Sequence, residues 1–272
     1  MRAPFTTLLH RLAATRRGAL FLLLSLSLTT IAPAETITIS AAISLKDALT
    51  AIAKTFESDS TDKVEFNFGA SGPLAAQIQQ GAPVDAFISA ANKQVDDLIK
   101  SGKADAATRR VIVENTLVLI VPTAATNPPQ SFADLTADRV GKIALGQPKA
   151  VPAGQYAMET LQNLKLADAL SGKIVYGANV RQVLDYVVRN EVDAGMVYAT
   201  DAKVAGDAVK VVATAPSSSH EKIEYPAVII TTATHQSAAI RFLNFLQSTP
   251  AQSTFASQGF VLPTAPTTQS HP

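Results

Sequence analysis

Hydrophobic and polar residues alternate along the chain with two different periods. Residues 36–40 (TITIS) and 64–68 (VEFNF) alternate at every second position, which is typical of half-buried strands. Residues 45–56 (LKDALTAIAKTF) are apolar at spacings of three and four, which predicts an amphipathic helix. The same reasoning predicts further strands at 84–89, 117–121, 142–145, 173–176, 194–198, 209–214 and 223–231. It predicts further helices at 74–80, 93–100, 154–164, 180–189, 201–205, 238–246 and 251–258, with a helical turn at 132–135.

Strands that alternate with helices indicate an α/β protein whose sheets are largely parallel and covered by helices on both faces. So many elements fit two lobes better than one sheet. We expect the chain to cross between the lobes near Asn115-Thr116 and again near 224–226, with a ligand cleft between the lobes at the carboxyl ends of strands. Lobe one then comprises residues 35–116 and 226–262, and lobe two comprises 117–225. The Pro/Thr/Ser-rich tail at 263–272 is expected to be disordered.

The N-terminal residues 1–34 have the pattern of a secretory signal peptide. Four arginines and no acidic residue accompany an apolar run at 20–28 that is too short to span a bilayer. Ala32-Pro33-Ala34 then supplies an A-x-A cleavage site, so we expect cleavage after Ala34 and export from the cytoplasm. The pair Arg16-Arg17 leaves both the general and the twin-arginine export routes open.

Composition narrows the chemistry that the mature chain can perform. The absence of cysteine excludes disulfides, thiolate metal sites and thiol nucleophiles, and the four histidines are scattered without metal-ligand spacing. Once residues 1–34 are removed, 19 basic residues stand against 22 acidic ones, and no basic patch indicates nucleic-acid binding. The chain has no phosphate-binding loop, no G-x-S-x-G motif and no catalytic dyad. We therefore expect a soluble mature protein that is not an enzyme and carries no cofactor.

Four predicted helices begin directly after a strand with residues that suit helix starts. These are Ser44 with Asp47 in a capping-box-like spacing, Ser71-Gly72-Pro73 with Pro73 at the first helical position, residues 151–154, and Asn179 as the cap before Val180. Each start has free backbone N–H groups and the positive end of a helix dipole, which together suit an anion. Plain capping explains each start taken alone. Two starts in each lobe, however, would surround an anion with neutral donors from both sides.

Three charged residues and one tyrosine have two interpretations each. Arg181, Asp193 and Asp201 either touch a ligand or form ion pairs and caps behind it, and the pattern favours ion pairs or caps. Tyr198 ends a predicted strand, where a half-buried tyrosine with a structural role is the simpler interpretation.

Six segments of the chain resemble the periplasmic molybdate-binding proteins that feed molybdate ABC importers. They are AAISLKDAL (41–49), FGASGPLAAQIQQGAPVDAFISA (68–90), ATRRVIVENTLVLIVP (107–122), VPAGQYAMETLQ (151–162), NVRQVLDYVVRNEVDAGMVYATDA (179–202) and IEYPAVI (223–229). The segments occur in the family's order and cover nearly the whole mature chain, from about residue 36 to about residue 262.

The resemblance implies a two-lobed periplasmic-binding-protein (type II) fold with the ligand cleft between the lobes. It also implies a periplasmic monomer whose partner is an inner-membrane ABC permease. Five residues are implied as the molybdate-binding set: Ser44 and Ser71 through backbone and hydroxyl, Ala153 and Val180 through backbone N–H, and Tyr198 through its phenol. Molybdenum, or tungsten, would be bound as the oxyanion, with no side chain coordinating the metal directly.

Two alternatives stay open from the sequence. A receptor for sulfate or another oxyanion would use the same neutral donors, because molybdate, tungstate and sulfate are all dianions that only accept hydrogen bonds. Phosphate keeps a proton near neutral pH, and a donor left without an acceptor costs about 1–3 kcal/mol. An enzyme on the same fold would need a titratable group in the cleft, and none of the five residues supplies a carboxylate or an imidazole.

Overall fold

The computed structural model describes residues 34–263. The predicted signal peptide, apart from Ala34, and the predicted disordered tail, apart from Pro263, lie outside the described residues. The strands of the described chain are β1 (Thr36–Ala42), β2 (Lys63–Gly69), β3 (Ala86–Ile88), β4 (Ala104–Glu114), β5 (Leu117–Pro122), β6 (Ile143–Gly146), β7 (Ile174–Gly177), β8 (Ala194–Tyr198), β9 (Val209–Thr214) and β10 (Glu224–Ile230).

Helices follow most of these strands, as the periodicity predicts. They are α1 (Lys46–Asp59), α2 (Ser71–Gln79), α3 (Asn92–Lys100), α4 (Pro152–Asn163), α5 (Ala167–Leu170), α6 (Val180–Val188), α7 (Ala199–Ala205), α8 (Gln236–Phe245) and α9 (Thr249–Gln258). The single-turn helix α5 was not predicted, because four residues are too few for a period to be visible. Helix α2 begins at Ser71, so Pro73 is its third residue and not its first, which corrects the expectation from the sequence.

The strands form two five-stranded sheets, each of which is the centre of one lobe. The first sheet has the order β2-β1-β3-β10-β4, and the second has the order β7-β6-β8-β5-β9. In the first sheet β1 is parallel to β2 and β3, whereas β10 is antiparallel to both of its neighbours. In the second sheet β6 is parallel to β7 and β8, whereas β5 is antiparallel to both of its neighbours. The sheets are therefore mixed, and not largely parallel as expected.

Strands β5 and β10, which are antiparallel to their neighbours, are the strands by which the chain passes from one sheet into the other. The chain leaves the first sheet at the end of β4, passes through Asn115-Thr116, and begins β5 in the second sheet. It leaves the second sheet at the end of β9 and returns through residues 215–223 to β10. Both crossings lie at the edge where the other strands of each sheet end, so the entering strand starts at that edge and runs in the opposite direction. Glu224 and Tyr225 lie in the first sheet; the lobe boundaries stated above remain a prediction.

Strand β4 was not predicted from the sequence. It is an edge strand of the first sheet and carries the polar stretch Thr108, Arg109 and Arg110, which is half-exposed or exposed. Charged side chains are common on edge strands, because they oppose pairing with other chains, and they mask the alternation that identifies a strand. Strand β4 therefore belongs to the first sheet although its sequence lacks a clear alternation of hydrophobic and polar residues.

The core of the first lobe is divided by its sheet, because successive strand residues point to opposite faces. Phe87 and Val228 pack on one face with apolar residues of α2 and α3, among them Leu74 and Val95. The opposite face packs against α1 and the C-terminal helices, where the ring centroids of Phe56 and Phe242 are 5.2 Å apart. Within residues 34–263, no helix combines the length and the apolar character that crossing a membrane requires.

Candidate functional site

A small cavity lies between the two sheets, at the edge where the parallel strands end. The loops after β1, β2 and β3 reach it from the first lobe, and the loops after β6, β7 and β8 reach it from the second. Its lining residues are small, apolar or neutral: Ala42, Ile43, Ser44, Gly69, Ala70, Ser71, Ala90, Val151, Pro152, Ala153, Val180 and Tyr198. This placement follows the rule that ligands bind at the carboxyl ends of strands in α/β folds.

The structure brings all five residues singled out from the sequence to this one cavity. Each lines the cavity and is at most 3% exposed. Two come from the first lobe and three from the second. The proximity of Ser44, Ser71, Ala153, Val180 and Tyr198 is a property of the structure, and their role in binding an anion remains a prediction.

Ser44 does not form the capping box that its spacing to Asp47 suggests. It lies in a single 3₁₀ turn, and helix α1 starts only at Lys46, without a side-chain cap. The Ser44 hydroxyl oxygen lies 3.0 Å from the hydroxyl of Tyr225 in β10. Because Asn115 Nδ2 donates to that same phenol oxygen at 3.2 Å, the phenol hydrogen is free to donate to Ser44. The Ser44 hydroxyl hydrogen is then available to the cavity.

Ser71 is the first residue of α2 and is fully buried. Its hydroxyl oxygen accepts a hydrogen bond of 3.0 Å from the backbone N–H of Ala90, at the end of the loop after β3. A hydroxyl that accepts through its oxygen still has its hydrogen to donate. Its backbone N–H, at the start of a helix, has no partner within that helix. Ser71 can therefore offer two donors to one ligand.

The second lobe supplies two further helix starts. Pro152 and Ala153 are the first two residues of α4, and Val180 is the first residue of α6. Asn179 caps α6 as predicted, because its side chain accepts from the backbone N–H of Gln182 at 3.0 Å. That cap leaves the Val180 N–H without an intrahelical partner, and the same holds for Ala153 in the first turn of α4. Both helix starts direct the positive end of a dipole at the cavity.

The hydroxyl of Tyr198 is the most unusual polar group of the site. It is buried and has no hydrogen-bond partner within the described part of the chain. Burial, with further contributions from the neighbouring Tyr225, Tyr156 and Asp201, holds the pKa of the Tyr198 phenol well above its ordinary value. The group therefore stays protonated and can act as a donor. An unpartnered buried hydroxyl costs about 1–3 kcal/mol, so this phenol is a candidate donor to a ligand in the cavity.

The charged residues singled out from the sequence do not line the cavity. Arg181 donates from Nε to Asp201 Oδ1 at 2.6 Å and from Nη2 to Asp47 Oδ2 at 2.7 Å. Burial raises the pKa of the Asp201 carboxyl to about 6, although the adjacent Arg181 guanidinium opposes this shift. Asp193 accepts from the backbone N–H groups of Gly141 and Lys142 at 2.7 and 2.8 Å. Arg181 and Asp201 form an ion pair, the interpretation that the sequence favoured. Asp193, in contrast, forms neither an ion pair nor a helix cap among the described residues, because it accepts from backbone N–H groups that precede β6.

Direct contacts join the two lobes around the cavity. The Gly72 N–H in α2 donates to the Ala150 carbonyl at 3.0 Å, and Tyr156 Oη lies 3.4 Å from the Ala90 carbonyl oxygen. A Cβ atom on residue 72 would lie only 2.5 Å from that Ala150 oxygen, so the approach of the two lobes requires glycine there. The structure thus has a closed cleft.

This arrangement provides neutral hydrogen-bond donors and no proton acceptor of catalytic type. None of the cavity-lining residues carries a carboxylate, an imidazole or an ammonium group. Among residues 34–263, no cluster of His, Asp and Glu side chains could hold a metal ion. Sequence reasoning missed Tyr225 and Asn115, which orient Ser44. The segment IEYP contains Tyr225 and carried part of the resemblance, but nothing local indicated which serine it contacts.

The chain is similar to known proteins over nearly all of its described residues. Residues 37–261 match the family described as bacterial extracellular solute-binding protein. The chain is 43% identical over 226 residues to the putative ABC transporter substrate-binding lipoprotein YvgL of Bacillus subtilis (strain 168), covering 83% of this chain and 86% of that protein. It is 39% identical over 236 residues to the molybdate-binding protein ModA of Escherichia coli (strain K12), covering 83% and 89% of the two chains.

A solved structure extends the comparison to three dimensions. The substrate-binding domain of a putative molybdenum ABC transporter from Clostridium difficile superposes with a TM-score of 0.66 at 39% identity. The match covers 85% of this chain and 100% of that domain. The two-lobed fold, with its cleft between the sheets, is therefore the fold of periplasmic binding proteins.

Proposed function

This chain belongs to the family of bacterial extracellular solute-binding proteins, and we propose that it captures molybdate in its cleft and delivers it to an ABC permease. It is a solute-binding protein of an ABC transporter and not an enzyme. Tungstate, which has the same charge and tetrahedral geometry, is proposed as a second ligand. The binding set is Ser44, Ser71, Ala153, Val180 and Tyr198, without a cofactor.

The observation that carries the proposal is the unpartnered Tyr198 hydroxyl in a cavity of neutral donors. A tetrahedral dianion accepts hydrogen bonds on every oxygen and donates none. It would satisfy the Tyr198 phenol, the two serine hydroxyls and the N–H groups at three helix starts together. Hydrogen bonds to a charged group are worth about 1.5–3 kcal/mol each, so the set favours a fully ionised oxyanion.

The choice among oxyanions rests on two arguments. The monohydrogen form of phosphate must donate its own proton, and the cavity lining offers no carboxylate to accept it. Sulfate satisfies the same donors as molybdate, so hydrogen bonding does not separate them. Relatives named as molybdate-binding proteins favour molybdate. Sulfate, or another oxyanion, is the alternative ligand.

Donors from both lobes can meet one small ion only in a closed cleft. Ligand binding therefore shifts an equilibrium between an open and a closed form, and the closed form is the one presented to the permease. We propose that the chain acts as an exported, periplasmic monomer whose signal peptide is cleaved after Ala34. The partner is an inner-membrane permease, and no nucleic acid is involved.

Titration calorimetry with molybdate, tungstate, sulfate and phosphate, run side by side, tests the ligand. We expect heat with molybdate and tungstate, and weak or no heat with phosphate. Clear sulfate binding without molybdate binding would overturn the ligand assignment. Turnover of any anionic substrate would overturn the transport function. Small-angle scattering should also show a smaller radius of gyration with molybdate than without it.

A further inference from the structure

One guanidinium group connects the two lobes beside the cavity. Arg181 in α6 belongs to the second lobe and donates from Nη2 to Asp47 Oδ2 in α1 of the first lobe, at 2.7 Å. Its Nε donates at 2.6 Å to Asp201 Oδ1, within the second lobe. A guanidinium can do both, because its donors form a rigid planar fork.

The two ends of this bridge lie directly behind proposed ligand donors. Arg181 follows Val180 at the start of α6, and Asp47 is the second residue of α1, three residues after Ser44. The bridge therefore joins the first turns of two helices whose neighbouring residues face the cavity from opposite lobes. Arg181 and Asp47 do not themselves line the cavity.

We propose that Arg181 and Asp47 form a latch that holds the cleft closed and sets the rate at which the bound anion is released. The inference rests on the proposed function and adds two positioning residues to it. Neither residue contacts the ligand. Both act by stabilising the closed form, in which donors of the two lobes surround the anion.

Burial differs between the two partners of Arg181 in the way a latch requires. Asp201 is fully buried, so its carboxylate holds the guanidinium as a fixed part of the second lobe. The Asp47 side chain is 43% exposed, so it can be solvated when the lobes separate. Opening would break the pair with Asp47 and leave the pair with Asp201 intact. Because Asp201 already restricts the arginine rotamer, the contact with Asp47 forms at little further loss of side-chain entropy.

Long-range electrostatics alone and a latch predict opposite effects of removing Asp47 on anion binding, so the direction of the change tests the proposal. The cluster of Asp47, Arg181 and Asp201 has two carboxylates and one guanidinium. If Asp47 acted only through its charge, its removal would reduce repulsion and strengthen the binding of an anion. If Asp47 is part of a latch, its removal weakens binding and speeds release.

The test compares Asp47→Ala and Asp47→Asn with the parent protein, using the oxyanion that the parent binds. We expect Asp47→Ala to raise the Kd and the dissociation rate by about two- to fivefold, the upper part of the range for exposed charged pairs. Asp47→Asn, which keeps one acceptor, should have a smaller effect. The control is Asp185→Asn, which removes an exposed carboxylate one turn further along α6. It should raise neither the Kd nor the dissociation rate.

A double mutant distinguishes a latch from a local effect on α1. The single ammonium of Arg181→Lys lacks the planar fork that contacts both carboxylates at once. It should stay with Asp201, because a buried carboxylate without a partner costs more than the exposed Asp47 left unpaired. Adding Asp47→Ala to Arg181→Lys should then change the dissociation rate by less than twofold. Unchanged or tighter binding by Asp47→Ala, or a full Asp47 effect in the Arg181→Lys background, would overturn the latch alone. Failure of the parent to bind any of the four oxyanions would instead overturn the proposed function and the latch with it.

Discussion

The hydroxyl of Tyr225 lies 3.0 Å from the hydroxyl oxygen of Ser44, although the two residues are 181 positions apart in the chain. Tyr225 is at the start of β10, where the chain re-enters the first lobe, and also accepts from Asn115 at the other crossing. Asn115 Nδ2 in turn lies 2.9 Å from Thr200 Oγ1 in the second lobe. Both crossings are thus connected by hydrogen bonds to a proposed ligand donor.

Tyr225→Phe is expected to weaken molybdate binding about three- to tenfold, because one neutral hydrogen bond of about 1 kcal/mol orients the Ser44 hydroxyl. The ring remains, so its edge-to-face contact with Tyr198, at 5.9 Å between centroids, should persist. Titration calorimetry gives the affinity, and a crystal structure of the variant shows the Ser44 rotamer. Parental affinity with a rotated Ser44 would mean that the Ser44 hydroxyl is not a donor.

Tyr198→Phe should separate binding from stability. It removes a proposed donor to a charged ligand, so affinity should fall by about ten- to 150-fold. It also removes a buried hydroxyl that has no partner within residues 34–263, so the melting temperature of the ligand-free protein should not fall. Calorimetric titration and thermal unfolding measure the two effects. A loss of ligand-free stability together with unchanged affinity would assign Tyr198 a structural role instead.

Gly72→Ala is expected to hinder closure without harming the fold. The added Cβ would lie 2.5 Å from the Ala150 carbonyl oxygen of the other lobe, a contact that exists only when the cleft is shut. Gly72 is the second residue of α2, and alanine is the better helix former, so the open form should be at least as stable as before. Because the clash lowers the population of the closed, binding-competent form, affinity should fall more than about tenfold. The matched control is Gly172→Ala, where a Cβ has no neighbour within 4 Å and binding should be unchanged.

The buried carboxyl of Asp201 should give stability a specific pH dependence. Burial raises the pKa of this carboxyl to about 6. Between about pH 4 and pH 6, the folded protein therefore keeps a proton on Asp201 that the unfolded chain has already lost. The resulting contribution to the free energy of unfolding is complete below about pH 4 and is lost as the pH rises through 6.

Asp201→Asn removes this dependence, and comparison with the parent isolates it from other titrating groups. The free energy of unfolding of the parent, relative to Asp201→Asn, should increase by up to about 3 kcal/mol between about pH 8 and about pH 4. Chemical denaturation at both pH values measures the change. The same difference at both pH values would show that Asp201 does not titrate in this window.

Local spacing in the sequence determined some features of the site and failed for others. Asn179 caps α6 through Gln182, three residues away, and this contact was predicted because both partners belong to one helical turn. Ser44 and Asp47 have an equally suggestive spacing, yet neither side chain caps α1. Ser44 contacts Tyr225, and Asp47 pairs with Arg181, 134 positions away. A charged or buried partner from a distant segment outcompetes an exposed backbone amide, and spacing carries no information about such a partner.

The sequence by itself determined the α/β alternation, the Asn179 cap of α6 and the neutral character of the proposed donors, because these depend on residues within one or two turns of each other. Only the tertiary structure decided that the sheets are mixed, since strand direction depends on the edge at which the chain enters each sheet. It also decided which donors share one cavity, that the Tyr198 hydroxyl is left without a protein partner, and that Arg181 reaches Asp47 across the cleft. These features arise from packing two lobes whose segments are interleaved in the chain, and no local pattern encodes that packing.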